Sequence, residues 1–415
     1  MTMSPPDGGE EYPTRQDAVA VEVACAFEEV SIRGAAWDDA VAALGGPVYM
    51  TWDWLRVWWH FYGAGRELRV IVCVAGGRPV ALVPLYIDTL GPWPLRLRVA
   101  RLVGASIPPR VLDPPVAGQW ADNCFGRIAD QLFGPDRCDL ISFGPLSETC
   151  EPWQQLPQAL AGTRAGVRVE LDRSDVHTVF RLPESHAVYL DSLNRNEQKQ
   201  RRKYELRTLK KQHDVTVDVV AGPPAALLDE FDAFAPMHAK QWEIEGKAGH
   251  FGSWPRGLPF NRALVEALGS LDRVRFIRIT AGGTTVSSQY VFCFAGRWYW
   301  ELPARLSGSD WDRFSLGPSG IVTMIGEAIA RGVCWIQGGI GHYDYKLRLG
   351  AVEHAVWRFR VTRPGRGTAI RAWAFERLRD MLRAGYHKVW YRRVQPRLPV
   401  RLRRAQWWLW LRWDV

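Results

Sequence analysis

The chain is short of the features that mark secreted, membrane-spanning and metal-holding proteins. Its seven cysteines, at 25, 73, 124, 138, 150, 293 and 334, form no CxxC pair; an odd, scattered set argues against a disulfide framework or a zinc site. These thiols are expected to be buried and reduced. The nine histidines make no HExxH or other ligand pattern, so no metal is expected. A GxSxG motif is also missing, as is a recognisable Cys/His pair, so a covalent serine or cysteine nucleophile is not expected. Long apolar runs are absent too. Val70–Val74 and Val80–Tyr86 are broken by Gly76-Gly77-Arg78, and nothing approaches the roughly 20 apolar residues that span a bilayer. The first 17 residues, with Pro5, Pro6, Asp7, Gly8, Gly9, Glu10 and Glu11, have neither the basic nor the apolar region of a secretory signal. Residues 1–20 read as a disordered leader, and the chain as cytoplasmic.

What the chain does have is charge in one place. The formal net charge is +9, and residues 371–415 account for it, with eleven Arg and Lys388 against Glu376, Asp380 and Asp414. The same stretch carries Trp373, Trp390, Trp407, Trp408, Trp410 and Trp413 and the run Arg401-Leu402-Arg403-Arg404. Arginine with tryptophan on a helix suits an anionic membrane surface, where guanidinium meets phosphate and indole sits at the apolar boundary. A helix that packs its Trp face on the main body and leaves Arg solvated fits the same composition. A second basic stretch, Asn194–Gln212, carries Arg195, Lys199, Arg201, Arg202, Lys203, Arg207, Lys210 and Lys211 around a thin stripe of Tyr204, Leu206 and Leu209. It reads as a basic helix, either solvated and docked along Tyr204 and Leu209 or guiding a polyanion. Trp52, Leu55, Trp58, Trp59 and Tyr62 share one helical face and read as core.

The strongest chemical pattern lies between Val286 and Gly350. Val286–Phe294 and Arg297–Leu302 alternate at the period of a half-buried strand, with Ala295-Gly296 as the turn. Phe314-Ser315-Leu316-Gly317-Pro318-Ser319-Gly320 then leads into Ile321, Ile325, Ala328 and Ile329 at helical spacing, and Val333–Ile336 reads as another short strand. A Gly-containing loop that opens a helix points unpaired N–H groups at a ligand, the usual way to hold a pyrophosphate.

This unit has a precursor in the same chain. Ala75-Gly76-Gly77 recurs as Ala281-Gly282-Gly283, each between two strand-like runs. Each hairpin is followed by a strand, a helix and another strand: Leu95–Val103, Asn123–Phe133 and Asp139–Phe143 in the first copy. Two copies of one unit explain the length economically, and Pro152, Pro157 and Pro183 mark the junction. Before its helix the first copy carries Ile107-Pro108-Pro109-Arg110 through Asp113-Pro114-Pro115, and prolines offer no N–H to a phosphate. Ligand binding is therefore expected in the second copy.

The order hairpin, strand, Gly-containing loop, helix, strand resembles the GNAT acyltransferase fold. Trp58-Trp59 with Phe61, Val83-Pro84-Leu85-Tyr86, Ser315-Leu316-Gly317-Pro318 and Tyr345-Lys346-Leu347-Arg348-Leu349-Gly350 resemble the CelD-like acetyltransferases of cellulose and exopolysaccharide synthesis, distant relatives of the FemAB aminoacyltransferases. The resemblance covers about residues 21–360. The chain departs from the family pattern at Phe314, where a basic or amide residue is usual, and at Gln337, where Asp is common.

The resemblance implies an α/β (α+β) fold of tandem GNAT-like units with mixed central sheets: a first unit and connector over 21–185, a second with the donor site over 186–363, and a basic Arg/Trp-rich helical tail over 364–415. It implies direct transfer of an acyl group, acetyl first, from acyl-CoA to an amine or hydroxyl of a cell-envelope or exopolysaccharide precursor, a small molecule or a glycan- or lipid-linked acceptor. Leu316, Gly317, Pro318, Ser319 and Gly320 would hold the CoA pyrophosphate, and Lys346 and Arg348 the ribose phosphate; the bland alternative for the last two is a solvated strand face. Glu301 would activate or orient the acceptor, or else stand as a solvated carboxylate. Tyr343 or Tyr345 would protonate the leaving thiolate or bind acceptor, or else pack as plain aromatics. Replacing Gly317 or Gly320 with a bulky residue is expected to abolish donor binding without unfolding. Two other readings stay open: a Fem-type transfer from aminoacyl-tRNA, and a non-catalytic accessory protein peripheral on the inner membrane face. No sequence-specific nucleic acid is expected as a partner.

Overall fold

Three tight turns set the frame of both units. Gly76-Gly77, Gly282-Gly283 and Ala295-Gly296 all have positive φ at both positions, the backbone of a two-residue hairpin turn matched to strand twist. The structure, a computed structural model, describes residues 18–399 apart from 106–107, 164–166, 245–248 and 309. Its strands are β1 (Ala20–Ala24), β2 (Glu67–Ala75), β3 (Arg78–Leu90), β4 (Leu97–Leu102), β5 (Leu140–Ser147), β6 (Arg168–Arg181), β7 (Val215–Val220), β8 (Val274–Ala281), β9 (Thr284–Phe294), β10 (Arg297–Arg305), β11 (Trp335–Ile340) and β12 (Val352–Thr362). All join one 12-stranded sheet in the order β1-β2-β3-β4-β5-β12-β6-β11-β10-β9-β8-β7. The fold is mixed α/β.

The repeat is visible in the pairing. Each hairpin, β2–β3 and β8–β9, is extended by an antiparallel third strand, β4 or β10. A helix then crosses to a parallel fourth strand: Ala121–Phe133 between β4 and β5, and Leu316–Ala330 between β10 and β11. The first helix buries Cys124, Phe125, Ile128, Ala129 and Leu132; the second buries Ile321, Val322, Met324, Ile325 and Ala328.

The next strand of each unit goes to the other unit. β6 follows the first unit in sequence but pairs with β11 of the second, and β12 follows the second but pairs with β5 of the first. The two exchanged strands then pair with each other along nearly their whole length, from Val352 opposite Val179 to Thr362 opposite Arg168. A long mutual antiparallel ladder of this kind makes the halves interdependent, because each completes the other's sheet edge. Gly144 lies at this join. With φ of +139°, an added Cβ there would come 2.9 Å from the Trp357 carbonyl, so only glycine lets β5 lie this close to β12.

The aromatic helix Trp52–Tyr62 is core as expected, burying Trp52, Leu55, Trp58 and Tyr62, with Trp59 partly covered. The basic stretch is not one helix but three short pieces, Arg195–Gln198, Arg201–Tyr204 and Arg207–Lys210; Leu206, with φ of +58°, separates the last two. Tyr204, Leu206 and Leu209 are buried, and Leu206 and Leu209 pack with Phe314 and Leu316. Only Cys73, Cys124 and Cys138 are buried, whereas Cys25 and Cys334 are exposed. In the tail, helix Arg366–Ala384 docks Phe375 among Leu90, Leu97, Val99 and Leu140. Of the leader expected over 1–20, residues 1–17 lie outside the described residues, as do the Arg401–Arg404 run and Trp407, Trp408, Trp410 and Trp413, whereas Val19 is buried and Ala20 already begins β1. No described helix is long and apolar enough to cross a membrane.

Because of the exchange, residues 18–185 and 186–399 expressed separately should each fail to give cooperative unfolding in urea, while co-expression restores it. Two independently folding halves would contradict the interdependence.

Candidate functional site

The parallel ladder between β10 and β11 is two residues long: Trp298 opposite Ile336, then Tyr299 opposite Gln337. Beyond that point the strands part, because β11 turns through Gly338-Gly339, with Gly339 at φ +84° and an irregularity in its pairing to β6 between Gln337 and Ile340. Gly338 is held against β6, where an added Cβ would lie 2.5 Å from Thr178 Oγ1. The sheet thus has a gap at its second-unit centre, and different chemistry sits on each of its faces.

On one face lies the helix Leu316–Ala330, packed on Trp298, Trp300 and Ile336. It starts after Ser315, which adopts a left-handed conformation at φ +56°. The first-turn amides of Leu316 and Gly317 have no intrahelical acceptor, Pro318 has no N–H to give, and the Ser319 amide already bonds Ser315 O at 3.0 Å. Cationic groups ring this end. Lys203 Nζ donates to Ser315 Oγ at 3.3 Å, the Arg305 side chain lies 3.4 Å from where a Gly317 Cβ would stand, and Arg313 Nη2 reaches Gln212 at 2.8 Å. Positive helix dipole and positive side chains together favour a phosphate-bearing ligand here. Leu316 and Ser319 face inward: Leu316 is buried, and Ser319 Oγ donates to Lys203 O at 3.2 Å. Gly320 corrects the expectation drawn for it. A Cβ there would overlap Ser287 Oγ and lie 2.7 Å from Gln289 Nε2, so this glycine lets the helix approach β9, and a bulky replacement would disturb packing. Gly317 has the room that Gly320 lacks.

At the gap stands Lys346. Residues Asp344–Arg348 form a short helix, so the solvated strand face considered for Lys346 and Arg348 is not what forms. Lys346 is buried, and its Nζ donates to Gly338 O at 2.6 Å and lies 4.4 Å from the Tyr343 ring and 5.4 Å from the Trp300 ring. Burial pushes its pKa down to about 8, against some opposing pull from Glu353. Tyr343 is exposed at the start of the short helix, with its ring 5.7 Å from that of Tyr345. Burial raises the Tyr345 pKa, keeping its phenol protonated. Arg348 is exposed and paired with Glu197 at 3.2 Å.

The opposite face opens into a cavity of about 420 Å³ at the seam between the units. Tyr299 and Gln337, the last ladder pair before the gap, line it together with Asp113, Ser147, His177 and His354. The exchanged strands bring these together: His177 on β6 sits directly across from His354 on β12, and Ser147 ends β5. Ser147 Oγ is 2.8 Å from His177 Nε2 and 2.7 Å from Thr149 Oγ1. Burial lowers the His177 pKa to about 4, with the neighbouring His354 adding to the effect, so its imidazole is neutral. Asp113 accepts the Ser147 amide at 2.8 Å, and burial, the larger effect, raises its pKa to about 7. Neither Asp113 nor His177 stood out in the sequence as a site residue. The Asp113-Pro114-Pro115 step was the available signal, since it is where the first copy's proline segment replaces a phosphate loop.

Glu301 belongs to this face but is not solvated. Its side chain is almost wholly buried, with Oε2 2.5 Å from Arg110 Nη2 and Oε1 accepting from Tyr49 OH at 2.8 Å; Tyr49 in turn packs on Tyr299. Arg110 and Tyr49 come from the first unit, so both carboxylate oxygens are taken up in bracing the seam. Sequence spacing could not show this, because the partners lie 191 and 252 residues away.

Residues 196–347 match the family described as Acetyltransferase (GNAT) domain. Among solved structures, FemX superposes with a TM-score of 0.57 at 11% identity, over 78% of this chain and 94% of that one. A conserved protein of unknown function from Bacteroides thetaiotaomicron gives 0.47 at 11% identity, over 80% and 94%, and a tandem GNAT protein from the clavulanic acid biosynthesis pathway 0.38 at 11%, over 83% and 100%. At these identities the FemX likeness speaks to fold alone, and the two weaker superpositions carry no argument. No curated protein matches the sequence. A GNAT acetyltransferase domain thus covers residues 196–347, within the second unit, and such a domain is that of an acyltransferase with acyl-CoA as its co-substrate.

Two outcomes test this geometry. Arg110→Ala leaves Glu301 buried without its cation and should cost roughly 3–5 kcal/mol in denaturant unfolding, much of it recovered in the Arg110→Ala, Glu301→Gln double variant. Asp113 has a raised pKa in the folded state, so the native chain binds the extra proton between about pH 4 and 7, and Asp113 destabilises it increasingly as pH rises through that window. Asp113→Asn should therefore gain stability relative to wild type from pH 4 to 7, then hold a plateau of about 1–3 kcal/mol, cavity water screening the rest. A constant difference across that range would place the Asp113 pKa elsewhere.

Proposed function

We propose that the chain transfers an acetyl or other short acyl group from acyl-CoA, bound on the 316–330 helix face, through the β10–β11 gap to an amine or hydroxyl held in the seam cavity. The observation that supports this is the gap itself, with the cation-ringed helix start on one face, the seam cavity on the other, and buried Lys346 bonded to Gly338 at its edge. The amides of Leu316 and Gly317, with Lys203, Arg305 and Arg313, receive the CoA phosphates. Exposed Arg348 supplies a further cation for the ribose phosphate.

In the transfer, the acceptor nitrogen or oxygen bonds to the thioester carbon as the carbon–sulfur bond breaks. Asp113, ionised above about pH 7, takes the acceptor's proton; a base with its pKa near working pH is the most effective. The departing thiolate takes a proton from Lys346, whose pKa of about 8 lies close to the roughly 8.5 of a free thiol. Before that, the ammonium polarises the thioester oxygen. Glu301, with both oxygens engaged, positions Arg110 and Tyr49 against Tyr299. Tyr343 holds Lys346 through its ring.

The acceptor class is read from resemblance. Likeness to the CelD-like acetyltransferases supports a precursor of an envelope or extracellular polysaccharide, and the cavity, with aromatic Tyr299 and Trp335 among hydrogen-bonding Ser147, Gln337 and Asp113, suits a hydroxylated or amino-bearing ring. Such an acceptor would be met in the cytoplasm or at its membrane face. One observation favours a second reading: the basic pieces between Arg195 and Lys211 adjoin the helix start, with Lys203 bonded to Ser315, and could meet an aminoacyl-tRNA, the donor that the resemblance to the FemAB aminoacyltransferases implies.

Calorimetric titration with acetyl-CoA, free CoA and an aminoacylated tRNA separates the two. Wild type should bind acetyl-CoA, Gly317→Val should bind it at least about tenfold more weakly, and Lys346→Met should bind it normally. Lys346→Met should yet lose about 100-fold or more in CoA release on addition of an amino-sugar panel. Binding of the tRNA alone would replace the acyl-CoA reading, and Gly317→Val binding like wild type would remove the helix start from the site.

A further inference from the structure

We propose that helix Arg366–Ala384 and the loop 91–96 form one face that docks on an anionic lipid bilayer. Among the described residues, six of the thirteen large apolar side chains left exposed lie here, the three most exposed among them. Trp93 is 81% exposed, Met381 68%, Ile370 64% and Trp373 60%, and Val389 and Tyr391 continue the surface. Ile370, Trp373, Arg377 and Met381 recur at three and four residues, so they share one side of the helix. The other side is already used: Phe375 is buried among Leu90, Leu97, Val99 and Leu140, and Arg371 Nη2 pairs with Asp139 at 2.8 Å. The outward side is thus an apolar stripe whose one aromatic contact among the described residues is the Arg377 guanidinium over the Trp373 ring.

The loop is tied to the helix, so the two make a single surface. Arg371 Nη1 donates to Arg96 O at 2.7 Å, and Gly91 sits close enough that an added Cβ would lie 3.4 Å from the Phe375 ring. Trp93 therefore projects from the first unit beside a helix that follows the second.

The charge names the occupant. Between 366 and 397 stand Arg366, Arg371, Arg377, Arg379, Arg383, Lys388, Arg392, Arg393 and Arg397, against Glu376 and Asp380. Both acids are already paired, Glu376 with Arg360 at 3.5 Å and Asp380 with Arg379 at 3.2 Å. A surface of indole, thioether and aliphatic groups set among guanidinium groups matches the boundary where anionic headgroups meet acyl chains. A second copy of the chain would bring the same excess positive charge to the contact, and repulsion opposes it.

The test is co-sedimentation of the full chain with vesicles of phosphatidylcholine, with and without phosphatidylglycerol. Wild type should bind the phosphatidylglycerol vesicles and be released as salt rises. The triple variant Trp93→Ser, Ile370→Ser, Trp373→Ser should partition at least about tenfold more weakly, with unchanged circular dichroism and unchanged acetyl-CoA titration. Arg366→Glu with Arg377→Glu should erase the preference for the anionic vesicles. Wild type that ignores both vesicle types overturns the proposal. So does a triple variant that binds like wild type, which would move the contact to residues beyond 399. A chain that dimerises in solution, becomes monomeric in the triple variant and binds no vesicles would make a second copy the occupant and overturn it as well.

Discussion

The ladder between β6 and β12 is the constraint on which the rest depends. Each strand leaves its own unit, completes the other and then pairs with its counterpart, so the two repeats share one sheet rather than touching at a surface. That arrangement places His177 opposite His354, with Ser147 within reach of His177 and Glu148 within reach of His354. It also creates the cavity, whose lining draws on both units. Neither unit alone lines the whole cavity.

Duplication followed by divergence explains the asymmetry of the two halves. In the second unit the chain after β10 makes a helix start with free amides. In the first, the corresponding proline segment turns inward: the Leu112 amide bonds Pro145 O at 2.7 Å and the Leu82 amide bonds Pro115 O at 2.9 Å. The first unit's own cleft is thereby filled by its own chain, and the same segment extends Arg110 to the Glu301 of its neighbour. One copy lines the cavity and braces the seam while the other keeps its helix start open.

Much of the frame was legible in the sequence because it rests on local rules. The repeated Ala-Gly-Gly turns, the period-two strands and the apolar spacing after Gly320 each depend on neighbours a few residues away, and each marks a real hairpin or helix. What was not legible depends on distance. Glu301 looked like a strand-end carboxylate because Arg110 and Tyr49 are far off in the chain. For Lys346 the sequence left a ribose-phosphate contact and a solvated strand face open, because nothing in Tyr345-Lys346-Leu347-Arg348 shows that Gly338 and Trp300 close over it. Gly320 looked like part of a phosphate loop, whereas Ser287 and Gln289 on β9 are the reason for its missing side chain. The basic stretch failed as a single helix at Leu206, whose left-handed backbone no propensity announces.

Charge and burial work in opposite senses on the two sides of the gap. The proposed donor side is cationic, so a polyphosphate would gain attraction there. On the proposed acceptor side, the seam cavity, burial moves Asp113 up and His177 down toward neutral forms, a setting in which a neutral acceptor would lose little on entry and a proton could be taken near pH 7. The measurement that tests this account most directly is hydrogen–deuterium exchange of the full chain with and without acetyl-CoA. Slower exchange confined to the peptides around 313–320 and 336–346 is the predicted result. Protection centred on the first unit's 108–117 segment, with 313–320 unchanged, would contradict it.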